Sequence, residues 1–216
     1  MGYAFMEYTS YSVGIAAIIG LVRIQKIDRA YYPFVFLLVL GIVNEILNTI
    51  IINSGHSNAI NSNIYILLES LLILSLFAVQ GLFINKKFGV FAIAILYGLT
   101  WCIELFFISS IRHFSSYFAL LYPFLTVLMS INMINRLLIR EKNLMLKHPM
   151  FIICFGFILF YTFTCLIEIF WAYGLGSSKE FRVQILSIHP YINLITNIIY
   201  IFAALWIPRK QEYTLL

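Results

Sequence analysis

Apolar stretches long enough to cross a bilayer recur along nearly the whole of this chain, and nothing else in the sequence limits its fold as strongly. A hydrocarbon core of about 30 Å asks for about 20 consecutive apolar residues in a helix. Seven stretches approach or reach that length: Tyr8 to Val22, Tyr32 to Asn53, Ser62 to Ile84, Phe88 to Ser109, Ser116 to Leu138, Met150 to Tyr173 and His189 to Ile207. The first is the shortest and carries Ser and Gly, whereas the sixth is almost unbroken. None shows strict apolar–polar alternation, so helices are expected rather than barrel strands. The connections are too short to hold a soluble domain. The expected fold is all-α, a single polytopic transmembrane helix bundle over residues 1–216, with seven spans, or six if the first fails. Composition agrees, because hydrophobic residues make up 62% and charged residues 11%, against about 25% charged in a soluble domain.

The formal charge of +5 first suggests an anionic partner. The basic residues form no stripe, however, and direct nucleic-acid binding is not expected. They sort by connection instead. Arg23, Lys26 and Arg29 lie between the first two spans, Lys86 and Lys87 after the third, Arg136, Arg140, Lys142 and Lys147 around the fifth-to-sixth connection, and Arg209 and Lys210 after the last. These eleven face three, Arg112, Lys179 and Arg182, on the alternate side. The positive-inside rule then places the N-terminus outside, the C-terminus in the cytoplasm and the protein in a cell (inner or plasma) membrane. The N-terminal residues lack the basic start and small-residue cleavage site of a signal peptide, and MGYAFM fails the myristoylation pattern at its sixth position. Cys102, Cys154 and Cys165 fall inside spans without metal-motif spacing and read as buried thiols.

Four of the nine acidic residues, Glu45, Glu69, Glu104 and Glu168, lie within expected spans. A carboxylate there costs about 2.5 kcal/mol or more and commonly has a task. On the oriented frame all four fall in the outer half of the membrane, which suggests one acidic cluster open to the outside. Other polar residues share that depth. Asn44 and Asn48 flank Glu45, Tyr65 stands one turn before Glu69, and His189, Asn193, Asn197 and Tyr200 form a stripe on the last span. Tyr97 and Thr100 lead to Glu104, Tyr161 and Thr164 lead to Glu168, and the fifth span offers Tyr122, Thr126 and Ser130. Such side chains also serve as plain interhelical hydrogen-bond donors and acceptors, and Glu104 and Glu168 lie close enough to span ends to reach the headgroups.

Carboxylates held close together stay protonated in part or bind a cation. Oxygen donors of Glu, Asn and Tyr suit a hard ion or a cationic organic ligand. The expected site is Glu45, Glu69, Glu104 and Glu168 with Asn44, Asn48, Tyr65, Asn193, Asn197 and His189, and Glu45, Glu69 and His189 are the metal candidates. No cofactor is expected with certainty beyond such a cation. Several seven-helix classes are excluded. The last span has no Lys for a retinal Schiff base, no HExxH or GxSxG occurs, and three histidines on neighbouring spans are missing.

The pieces NIYILLE, Asn63 to Glu69, and IHPYINLITNIIY, Ile188 to Tyr200, resemble small polytopic bacterial membrane proteins of about seven helices. That resemblance implies the layout and no activity. The composition, rich in Ile, Asn and Tyr, fits a bacterial source. The function expected is a sensor, carrier or channel component with an outward-facing polar cavity. A membrane-embedded enzyme acting on a lipid or lipid-linked substrate is the second reading. The third is an oligomeric effector or pore component, with Arg136, Arg140, Lys142 and Lys147 docking a cytoplasmic protein partner.

Overall fold

The computed structural model describes residues 9–83, 87–140, 147–173 and 179–210. Lys86 and Lys142 lie outside the described residues, as do the side chains of Lys87, Arg140, Trp171, Lys179 and Arg182. The main α-helices among the described residues are, in order, α1 Val13–Arg23, α2 Tyr32–Asn53, α3 Ala59–Val79, α4 Lys87–Ile103, α5 Tyr117–Arg140, α6 Pro149–Tyr173 and α7 Lys179–Trp206. Among the described residues the only extended pairing is an isolated bridge between Ile27 and Arg209.

Among the described residues six segments are long and apolar enough to cross a membrane: Arg29–Asn53, Ala59–Val79, Phe88–Ile108, Tyr117–Ile139, Pro149–Phe170 and Ser187–Trp206. The first helix is apolar too, but its described length, Thr9–Arg23, is shorter. At 1.5 Å per residue, fifteen residues rise about 22 Å. The outer surface is as oily as the interior. Val22, Phe88 and Phe107 are 77%, 82% and 83% exposed, an arrangement that water would penalise and lipid would not.

Helix contacts define a ring. α1 packs on α2, α2 on α3, α3 on α5, α5 on α6, α6 on α7, and α7 returns to α1, while α4 stands outside the ring against α3 and α5. Close approach along the α1–α2 seam depends on small residues, as is common between membrane helices. A Cβ on Gly20 would meet both methyls of Val35 at 3.1 Å.

Backbone ends are satisfied by side chains from elsewhere in the chain. The Arg23 guanidinium donates to the carbonyls of Leu205 at 2.6 Å and Ile207 at 3.1 Å, and also bonds that of Ala204. The C-terminal turn of α7 thus receives the cation that unpaired carbonyls favour. Arg136 does the same for the turn after α3, donating to Gly81 and Leu82 carbonyls at 2.6 Å each. That turn needs Gly81, whose φ of +82° is costly for other residues. These two caps bring the ends of α1 and α7, and of α3 and α5, to one end of the bundle.

Two boundaries differ from the sequence expectation. The last helix begins ten residues before His189 and runs through Pro190. Proline after His189 reads as a helix start, yet the polar segment from Lys179 continues the helix beyond the apolar window. The fourth span ends in a π turn, Glu104–Ile108, which places Glu104 at a break in the regular ladder.

Candidate functional site

Inside the ring lies a cavity of about 240 Å³. Six helical segments line it and α4 does not. The polar lining comprises Ser10 beside α1, Glu45 on α2, Tyr65 and Glu69 on α3, Tyr122 on α5, Tyr161 and Thr164 on α6, and His189, Asn193, Thr196, Asn197 and Tyr200 on α7. Val13, Leu37, Leu38, Gly41 and Phe160 complete the wall.

Glu69 is the centre of this arrangement. It is 5% exposed, and three phenols from three helices donate to its carboxylate. Tyr65 reaches Oε1 at 2.8 Å, Tyr161 reaches Oε1 at 2.9 Å, and Tyr122 reaches Oε2 at 2.9 Å. The i, i+4 spacing puts Tyr65 on the same face as Glu69. Tyr122 and Tyr161 meet edge to face, with centroids 5.8 Å apart at 75°. No cation is among these three donors. Half-buried Glu45 lines the same cavity and, among the described residues, makes no side-chain hydrogen bond.

The α7 side is polar but only partly paired. Asn197 donates to Ser12 at 2.8 Å and to Asn193 at 3.2 Å. Thr196 is 1% exposed and, among the described residues, its hydroxyl has no hydrogen-bond partner. A buried hydroxyl left unpaired costs about 1–3 kcal/mol. His189 packs its ring on Phe160, centroids 5.8 Å apart.

An aromatic layer forms the floor. Tyr200 meets Phe34 at 5.5 Å and Phe157 at 6.0 Å, and Phe157 meets Phe77 at 6.1 Å. Phe34, Phe77 and Phe157 are fully buried. Gly156 leaves room for Tyr200, since a Cβ there would stand 2.5 Å from its ring.

The structure gathers Glu45, Glu69, Tyr65, His189, Asn193 and Asn197 around one cavity. It places the other candidate residues elsewhere. Asn44 and Asn48 turn toward the start of α3. Asn61 donates to Asn44 at 2.8 Å and to Asn48 at 2.9 Å, and Asn58 donates to Asn48 at 3.2 Å. This is an amide clasp between helices and does not orient Glu45. Glu104 caps α5, accepting from the backbone N–H groups of Ser116 at 2.6 Å, Tyr117 at 2.9 Å and Phe118 at 2.7 Å, and from the Ser115 hydroxyl. It borders a separate cavity with Phe114 and Leu120. Glu168 is half-buried on α6 and is not among the residues that line the central cavity. Among the described residues no group of three His, Cys, Asp or Glu side chains is close enough to hold a metal.

Tyr122 and Tyr161 stand out in the sequence only as members of polar stripes, and the structure makes them the partners of Glu69. Asn63 carries no sequence signal beyond its place in NIYILLE. It is 1% exposed and pins the loop before α5, donating to the carbonyls of Ile111 at 3.1 Å and His113 at 2.8 Å and accepting from the Ser115 N–H at 3.0 Å. The chain matches no protein-family model, no curated protein and no solved structure.

Proposed function

We propose that this chain is a multi-pass membrane protein whose central cavity binds a cation, acting as a sensor or carrier. One observation carries the reading. Two carboxylates, Glu45 and Glu69, line one cavity within an apolar bundle, and the three groups bonded to Glu69 are neutral phenols. Taking an ionised carboxylate out of water without a counter-charge is expensive, so a cation entering that space gains the interaction the protein leaves unmade.

In this reading the chain crosses the membrane seven times, α1 included, with the N-terminus outside and the C-terminus in the cytoplasm. The basic residues support that sidedness. Arg23 and Arg136 share the end that also carries the exposed Lys26, Arg29, Lys147, Arg209 and Lys210. In the same reading the cavity faces the opposite, outer end. The basic end meets anionic headgroups, and a cytoplasmic protein docking there belongs to the same reading.

The test is a cation titration of the purified protein in lipid nanodiscs, read as the thermal-unfolding midpoint. The expected result is a saturable rise with at least one cation, reduced in Glu45→Gln and Glu69→Gln. Identical cation responses in wild type and both variants would overturn the site. A reporter fused after Leu216 checks the sidedness, with cytoplasmic activity expected.

A further inference from the structure

Resting on the cation reading, we infer that the cavity takes an organic ammonium ion, a protonated or alkylated amine, and not a bare metal ion. The first reason is the wall. Tyr161 meets Tyr122 at 75° and Phe160 at 84°, and Tyr200 closes the floor. Rings meeting near right angles present faces on more than one side of the space. A cation within about 6 Å of such a face is attracted by the ring quadrupole, and quaternary ammonium groups are recognised by cages of this kind.

The second reason is the state of the carboxylates. Glu69 Oε1 already accepts from two phenols and Oε2 from one. A hard divalent ion needs about six to eight oxygens at short range, and stripping those phenolic protons away would dismantle the centre of the site. An ammonium ion needs less. It can lie against the phenol oxygens and rings while the carboxylates supply charge from close by. Glu45 adds a second carboxylate that, among the described residues, has no hydrogen bond to give up.

The unpartnered Thr196 hydroxyl is an independent pointer to a ligand. It is 1% exposed on the cavity lining and has no hydrogen-bond partner among the described residues. Its oxygen and the Asn193 amide oxygen are acceptors for the N–H groups of an amine. Size agrees as well. A cavity of about 240 Å³ exceeds the roughly 30 Å³ share of one water and falls below the roughly 300–1,000 Å³ of drug-sized sites. That suits a small amine.

The experiment uses the full chain in nanodiscs with tetramethylammonium, choline and 2-phenylethylammonium chlorides, against sodium and calcium chlorides at equal ionic strength. Binding is followed by thermal midpoint and by calorimetry. The expected result is saturable binding of at least one ammonium salt and none of sodium or calcium. Glu45→Gln weakens it about tenfold, and Tyr200→Phe retains it while Tyr200→Ala loses it. Should Tyr200→Ala fail to fold, Glu45→Gln carries the test, because that side chain is half-buried and unbonded. Saturable sodium or calcium binding that Glu45→Gln abolishes would overturn the ammonium inference and leave the cation reading standing. Failure of every ion, organic and inorganic, would overturn both.

Discussion

A carboxylate removed from water can be satisfied by backbone donors at a helix start or by side-chain hydroxyls, and Glu104 and Glu69 take one route each. Glu104 accepts from three successive backbone N–H groups at the start of α5. Those donors have no partner within the helix, so the carboxylate completes the structure of the loop and helix. Replacing it by Ala leaves several buried donors unpaired, and a loss of about 2–4 kcal/mol is expected. Reversible unfolding in mixed micelles measures it, and the cation response of the remaining folded protein stays unchanged. Glu69→Gln behaves in the opposite way. The Gln carbonyl still accepts from Tyr65 and Tyr161 and its NH2 can donate to a turned Tyr122 hydroxyl, so stability falls by about 1 kcal/mol, while the cation response is reduced. Sequence alone puts both acids in one half of the bundle, because position along a helix follows directly from residue count. It does not separate their tasks. The partners of Glu104 are backbone groups twelve to fourteen residues later, and they meet it only because Asn63 fixes the intervening loop.

At the level of whole helices, the first helix depends on its neighbours more than its length suggests. Isolated helices of eleven residues are marginal. α1 persists because it fills the gap between α2 and α7 that would otherwise open the ring. Gly20 lets it approach Val35, Tyr11 donates to Thr49 at 2.7 Å, and Ser12 accepts from Asn197. Arg23 fastens its other end to the last carbonyls of α7. The sequence reading treats Arg23 as a topology signal, and its capping role is invisible there because the capped carbonyls lie some 180 residues away. Arg23→Ala is expected to cost about 1.5–3 kcal/mol. Faster amide exchange, confined to the last turn of α7 and the Ile27–Arg209 bridge, reports the loss. Arg23→Lys recovers only part of it, since one ammonium cannot reproduce the planar fork. Exchange rates equal to wild type in both variants would show that the α1–α7 seam does not need this cap.

At the scale of the whole molecule apolar side chains cover the outside, and an acidic, phenolic cavity lies within an otherwise apolar core. A bundle of this kind can be a through-going pore or a closed cup, and the two differ in what lies beneath the cavity. Here Phe34, Phe77, Phe157 and Tyr200 form a contiguous aromatic layer. Below it Met150, Ile153, Ala203, Ala204 and Ile207 are almost fully buried. Apart from the Tyr200 hydroxyl the side chains named here are apolar, and an ion crossing among them would shed its hydration with little replacement. The aromatic layer favours the proposed sensor or carrier over an open channel. The floor is thin enough to test with single side chains. Phe157→Ala removes the ring that touches Phe77, Tyr161 and Tyr200 together. It should cost about 3–5 kcal/mol of stability and let monovalent cations cross proteoliposomes that wild type keeps tight. Gly156→Ala is the complementary change, because its added Cβ displaces the Tyr200 ring from within the floor without removing an aromatic group. Wild-type vesicles that already leak as fast as those carrying Phe157→Ala would place the barrier elsewhere and favour the pore reading over the closed cup.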